Sequence, residues 1–188
     1  MIDTIVGLVS EHVGQMLEHL AVEFNPLARE KGLDLRVVST SLWARTGRRP
    51  VVVGHSAGGH LAAMCLSAQW PRYSRGLPEK VVQGAVSVSG IYDLVPIART
   101  PSINVDLRLT EAQALKLSPA CMPPATKAPL LIAVGGREIG GFKEQHALIA
   151  NRWQQVLAAD IACPDDNHFT ILNTFARAEI GSGQGAHV

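Results

Sequence analysis

Cysteine is scarce in this sequence. Cys65, Cys121 and Cys163 are odd in number and share no short metal-ligand spacing, which argues against both a disulfide framework and a zinc site. No sign of charge dominates either: 17 Lys and Arg against 16 Asp and Glu leave a net charge of +1, and the cations form no stripe. Nucleic acid and anionic membrane surfaces are therefore not expected partners. Long apolar runs are missing as well, none approaching the roughly 18 residues of a membrane-spanning helix. The first twenty residues carry Asp3, Glu11, His12 and Glu18 where a secretory signal would be apolar, so the chain reads as cytoplasmic. What is present is 188 residues with 47% hydrophobic content, enough to bury the core of one domain.

From Arg49 onward, short apolar runs alternate with amphipathic segments, as a mostly parallel sheet with flanking helices requires. Strands are predicted over Pro50–Val53, Gln83–Ser89, Pro129–Gly135 and Asp160–Ala162, with helices over Gly59–Gln69 and Phe142–Ala158. The Tyr73–Glu79 stretch and the Pro- and polar-rich segment Pro96–Lys127 read as surface excursions of the kind that form pocket walls and lids. This α/β part spans residues 49–188. Residues 1–48 differ in texture, with an appended amphipathic helix over Asp3–Glu23, a short helix over Pro26–Lys31 and a strand over Leu33–Ser39. Helix, glycine and strand could serve as one more α-β unit packed on the sheet edge, but Thr40–Arg49 is barely long enough for a parallel crossover, so the placement of that strand is open.

Chemistry concentrates at Val51-Val52-Val53-Gly54-His55-Ser56-Ala57-Gly58-Gly59-His60. A β-branched strand running through Gly-x-Ser-x-Gly into the helix-forming Leu61, Ala62, Ala63, Met64 and Leu66 presents a nucleophilic serine on a sharp turn, and the glycines let strand and helix approach. Ser56 is the candidate nucleophile. A hydroxyl at neutral pH needs a base that is itself oriented by an acid, and on this kind of turn the chain order is serine, acid, histidine. Glu138 follows the predicted strand through Gly135-Gly136-Arg137, and His168 lies in the polar loop Asp165-Asp166-Asn167-His168-Phe169. Asp93 is the alternative acid. Asp165 and Asp166 sit too near His168 in the chain to orient it, and His55 and His60 flank the serine too closely to serve as its base, so they line or pack beside the pocket. His146 is expected to face solvent.

Several of these motifs, in order, resemble one family over about Arg49 to Ala176: Gly54-His55-Ser56-Ala57-Gly58-Gly59-His60-Leu61 with Trp70-Pro71, Ser89-Gly90-Ile91-Tyr92-Asp93-Leu94, Asn104 with Leu107-Arg108-Leu109-Thr110, Leu117-Ser118-Pro119, Val134-Gly135-Gly136-Arg137-Glu138 with Phe142 and Gln145, and Asn167-His168-Phe169. They are similar to the kynurenine formamidase (arylformamidase) branch of the alpha/beta hydrolases. The resemblance implies a partial alpha/beta-hydrolase fold, Ser56 as nucleophile, His168 as general base, Glu138 where the family's acid stands, the Ala57 N–H as an oxyanion donor, and His55 and Tyr92 beside the substrate. It implies hydrolysis of a small aryl formamide or ester through an acyl-enzyme, with a small-molecule substrate as partner and no metal or organic cofactor.

The family's N-terminal half, including its His-Gly-Gly oxyanion segment, has no counterpart, since no His-Gly pair occurs in the chain. Impaired turnover and an exposed apolar sheet edge that invites homo-oligomerisation follow as expectations. The alternative to an enzyme is a hydrolase-derived binding or dimerisation module, its N-terminal helix apolar along Val6, Val13, Met16, Leu17 and Leu20. Residues 20–45, chiefly Pro26 to Ser39, weakly resemble a sensor histidine kinase segment. No nucleotide-binding boxes follow, and His12 lacks the proline context of a phosphoacceptor.

Overall fold

The computed structural model describes residues 7–9, 37–39, 51–73 and 77–175. Four strands form one parallel sheet: β3 (Val51–His55), β4 (Gly84–Val88), β5 (Leu130–Gly135) and β6 (Leu157–Cys163), in the order β3-β4-β5-β6. Two more, β1 (Gly7–Val9) and β2 (Val37–Ser39), make a separate parallel pair with Gly7 opposite Val37. Between the strands run α1 (Ala57–Ser67), α2 (Trp70–Tyr73), α3 (Val95–Ala98), α4 (Pro101–Leu107), α5 (Glu111–Lys116), a 3-10 turn (Pro119–Cys121) and α6 (Gly140–Arg152). A further helix begins at Ile171. No helix among the described residues is long and apolar enough to cross a membrane.

Parallel strands cannot be joined by tight hairpins, so each crossover carries a helix onto a face of the sheet and both faces become apolar. The alternation within the strands divides the core accordingly. Ala85, Leu130 and Ile132 face a cluster containing Ala62, Ala63 and Leu66 of α1, Ile149 of α6, and the buried rings of Trp70, Tyr92 and Trp153. Val88, Ala133 and Cys163 face the other way, onto Ile171 and Phe175. Small residues on α1 let it lie close to β3 and β4. Burial pushes the Cys65 thiol within that helix up to about 12, so it behaves as an apolar packing group.

The structure moves several predicted boundaries. Helix α1 begins at Ala57 rather than Gly59, because Ser56 already holds the turn. The helix predicted to run to Ala158 stops at Arg152, and the strand predicted from Asp160 starts at Leu157. Trp153 makes the break: its ring is buried with the indole N–H donating to Met122 O at 2.9 Å, while the Val156 and Leu157 N–H groups both turn back to its carbonyl at 3.0 Å. Gly7–Val9, placed inside the predicted helix Asp3–Glu23, is a strand; a glycine among Ile5, Val6, Leu8 and Val9 favours extended chain over helix. The rest of that predicted helix, and the one over Pro26–Lys31, lie outside the described residues. Val37–Ser39 does form a strand, but it pairs with β1 and not with the main sheet. The Pro96–Lys127 excursion is built of α4, α5, part of α3 and the 3-10 turn. Within it Thr110 caps α5, with reciprocal bonds between Thr110 and Gln113.

Among the described residues β3 is an edge strand, with Val51 and Val53 about half exposed, at 52% and 48%. All four strands of the main sheet point their carboxyl ends the same way. In sheets of this kind ligands bind in the crevice beyond those ends.

Candidate active site

Ser56 leaves β3 with φ 57° and ψ −118°, a left-handed conformation costly for any residue with a side chain. It is held by its backbone: the Ser56 N–H donates to Val88 O at 2.9 Å, and its carbonyl accepts from the His60 N–H at 3.1 Å. Two residues earlier, a Cβ on Gly54 would lie 2.0 Å from Gly58 O, so the strand and the first turn of α1 can cross only with glycine there. As the first residue of α1, Ala57 has an N–H that the helix itself does not use, next to the serine hydroxyl.

Glu138 hangs from the turn that ends β5. Its side chain is buried, yet both carboxylate oxygens are occupied: Oε1 accepts from Ser89 Oγ at 2.5 Å and from the Gly135 N–H at 2.8 Å, and Oε2 takes His168 Nδ1 at 2.7 Å. Burial pushes the carboxyl up, but the bonds from Ser89, Gly135 and His168 together outweigh it and hold the group below the usual glutamate range. It therefore stays ionised beside His168. The turn is locked to the histidine loop by two backbone bonds, Gly136 N–H to Cys163 O at 2.8 Å and Arg137 N–H to Asp166 O at 2.9 Å. A Cβ on Gly136 would sit 2.3 Å from Pro164 O, so this contact again needs glycine.

His168 follows β6, and its loop is shaped by Asn167, whose Oδ1 accepts from the Phe169 and Thr170 N–H groups at 2.9 and 3.0 Å. The imidazole stacks on Phe142 with ring centroids 4.2 Å apart and leans on His55 at 4.4 Å. With Nδ1 donating to Glu138, Nε2 is left as the proton acceptor. The structure thus brings Glu138 and His168 together, and Ser56 stands at the carboxyl end of β3, beside His55, whose ring lies 4.4 Å from that of His168. No hydrogen bond joins Ser56 Oγ to His168 among the described residues; such contacts are often long without substrate and tighten when one binds.

Of the two residues expected beside the substrate, His55 packs against His168 and Tyr92 lies in the core. His55 Nε2 donates to the backbone carbonyl of His168 at 2.8 Å, so it steadies the histidine loop. Tyr92 is wholly buried: its hydroxyl bonds Ser87 Oγ at 2.7 Å, and its ring belongs to the core. Asp93, the alternative acid, accepts from the Val95 N–H and starts α3. His146 does not simply face solvent; its Nε2 meets Asp160 Oδ1 at 2.9 Å and most of its ring is covered. Sequence reasoning passed over Ser89, which sits at φ 49° after β4 and supports Glu138. It also gave no role to Gln145, whose amide bonds the backbone at Tyr92 and Asp93 and pins that loop to α6. Both stand among the residues that carry the family resemblance, but a polar residue next to a strand end or on a helix face does not by itself disclose a role.

Beside Ala57 lies an open cavity of about 340 Å³ whose walls include Ile91, Ile97, Ile103, Leu107 and Phe142. Phe142 is shared, lining the cavity and stacking on His168. No three His, Cys, Asp or Glu among the described residues are grouped so as to hold a metal ion.

A parallel sheet with flanking helices and a strained serine turn is the architecture of an alpha/beta hydrolase, present here in part. The chain is 30% identical to a protein of known structure from a Silicibacter species assigned as a thioesterase, with a TM-score of 0.59 over 72% of this chain and 50% of that one. Within that class the chain is similar to kynurenine formamidases. It is 39% identical over 129 residues to the kynurenine formamidase of Salmo salar and 34% identical over 128 residues to that of Danio rerio, in each case 63% of this chain. The match spans 42% of the length of either relative. No family model matches the chain.

Proposed function

We propose that the chain is a serine hydrolase that cleaves a small aryl formamide or ester through an acyl-enzyme. Ser56 Oγ attacks the carbonyl carbon while His168 Nε2 takes the hydroxyl proton, and Glu138 holds the imidazole and stabilises its protonated form. The carbonyl oxygen, now negative, lies against the Ala57 N–H. His168 returns the proton to the leaving amine or alcohol, and the C–N or C–O bond breaks. Water, deprotonated by the same nitrogen, then releases the acid and restores Ser56.

The observation that carries this reading is the buried, doubly supported Glu138 bonded to His168 at 2.7 Å, at the same carboxyl edge of the parallel sheet as Ser56. Among the described residues Ala57 is the one oxyanion donor identified, and working without a second such donor costs about 2.7–4 kcal/mol, or 10²–10³ in turnover. Slow turnover is therefore expected. Release of arylamine from an N-formyl aniline and of phenol from phenyl acetate, followed with the full chain, checks it: slow saturable hydrolysis of either is expected, and a rate equal to buffer for both counts against the proposal. In that event the exposed Val51 and Val53 edge favours the second reading, a binding or dimerisation module on a hydrolase scaffold.

A further inference from the structure

At the carboxyl end of β4, two successive residues each hold one member of the site. The Val88 carbonyl accepts the Ser56 N–H at 2.9 Å, and Ser89, next in the chain, donates its hydroxyl to Glu138 Oε1 at 2.5 Å. Ser89 is buried, and its own N–H donates to Ala133 O of β5 at 2.7 Å, so its place between the two strands is fixed. The chain is crowded just beyond it, where a Cβ on Gly90 would lie 2.4 Å from Ser87 Oγ and 2.5 Å from the Tyr92 hydroxyl.

The backbone at Ser89 favours glycine. Its φ of 49° lies in the left-handed region, where a Cβ is costly and glycine is not. Such a residue persists where the surrounding structure holds it, and at a site the strain is often part of the working arrangement. What serine has here and glycine lacks is the hydroxyl, and that hydroxyl goes to the acid. At 2.5 Å the bond has the length of a charge-assisted O–H···O⁻ contact.

Glu138 carries its carboxylate on three rotatable bonds. The Gly135 N–H alone, 2.8 Å from Oε1, would leave the carboxylate plane free to swing about that contact. A second donor on the same oxygen, from a different strand, fixes the plane and leaves Oε2 turned to His168 Nδ1 at 2.7 Å.

We propose that Ser89 is a positioning residue for the acid and histidine pair: its hydroxyl sets the Glu138 carboxylate so that Oε2 faces His168, and ties that setting to the strand end that holds Ser56. The effect of Ser89 on rate rests on the hydrolase proposal; its effect on His168 does not.

Two substitutions separate the hydroxyl from the backbone. Ser89→Ala deletes the hydroxyl and keeps a Cβ in the left-handed region, whereas Ser89→Gly deletes the hydroxyl and relieves the strain. Ser89→Gly should therefore unfold at a higher urea concentration than Ser89→Ala. Both should nonetheless lose kcat toward phenyl acetate by the same factor, between about 10-fold and 10²-fold, with KM within about twofold of wild type. The His168 Nδ1 proton, followed as a far-downfield ¹H NMR resonance of the full chain at low temperature, should be present in wild type and shifted or broadened in both variants. A Ser89→Gly variant with wild-type kcat, a proton resonance unchanged by either substitution, or a wild type without that resonance overturns the proposal. So does a loss of activity that follows the urea midpoints of the two variants. If the wild type hydrolyses nothing and its proton still changes in both variants, the hydrolase proposal fails and the role of Ser89 stands.

Discussion

Glu138→Gln is expected to lower kcat/KM toward phenyl acetate by on the order of 10⁴-fold, or to the buffer rate, while leaving the chain folded. The geometry permits only one placement of the new amide. Oε1 accepts from the Gly135 N–H, a donor that cannot reverse, so the glutamine oxygen must stay there and its NH₂ must face His168. His168 Nδ1 then becomes an acceptor, its proton moves to Nε2, and the nitrogen turned toward Ser56 can no longer take a proton. The substitution also changes the response to acid. Because the folded carboxyl is held below its ordinary value, its contribution to stability is complete above the ordinary glutamate range and is lost as pH falls through the lower folded value. Urea midpoints measured across that range should fall less steeply for Glu138→Gln than for wild type. A variant that keeps wild-type turnover would mean that Glu138 orients nothing.

Gly54→Ala is expected to destabilise the chain by at least about 3 kcal/mol, a large part of the 5–15 kcal/mol that holds a domain together. The added methyl would lie 2.0 Å from Gly58 O, 2.2 Å from Gly58 C and 2.9 Å from Gly59 N, all backbone atoms of the first turn of α1. None of these is a flexible tip that can swing away, so helix and strand must part and carry Ser56 with them. Gly141→Ala is the matched control: nothing lies within 4 Å of its Cβ, and it should be neutral or stabilising by up to about 1 kcal/mol. Urea unfolding separates the two. Equal midpoints for both variants would show that the serine turn does not depend on close packing.

The positions of Ser56, Glu138 and His168 could be read from local pattern, because each sits just past a short apolar strand, and strands of a parallel sheet deliver such residues to one edge. What lay beyond the sequence depends on neighbours brought in from far along the chain. Ser89 supports Glu138 only because β4 and β5 are adjacent, and its φ of 49° leaves no compositional mark. Tyr92 has the look of a pocket residue, yet Ser87, five residues away on the strand before it, gives its hydroxyl a buried partner and draws the ring into the core. The apolar repeat through Trp153 and Val156 is compatible with helix, and only the buried indole and the turn behind it decide for a break. At Gly7–Val9 a helical apolar period competed with extended-chain propensity, and parallel pairing with Val37–Ser39 settled it.

The central claim is that Ser56 is an activated nucleophile. Its most direct test is incubation of the full chain with a fluorophosphonate probe, followed by peptide mapping by mass spectrometry. A single adduct is expected on the peptide containing Ser56, absent from Ser56→Ala and formed much more slowly by His168→Ala. An adduct on another residue, or equal labelling of wild type and Ser56→Ala, would contradict it.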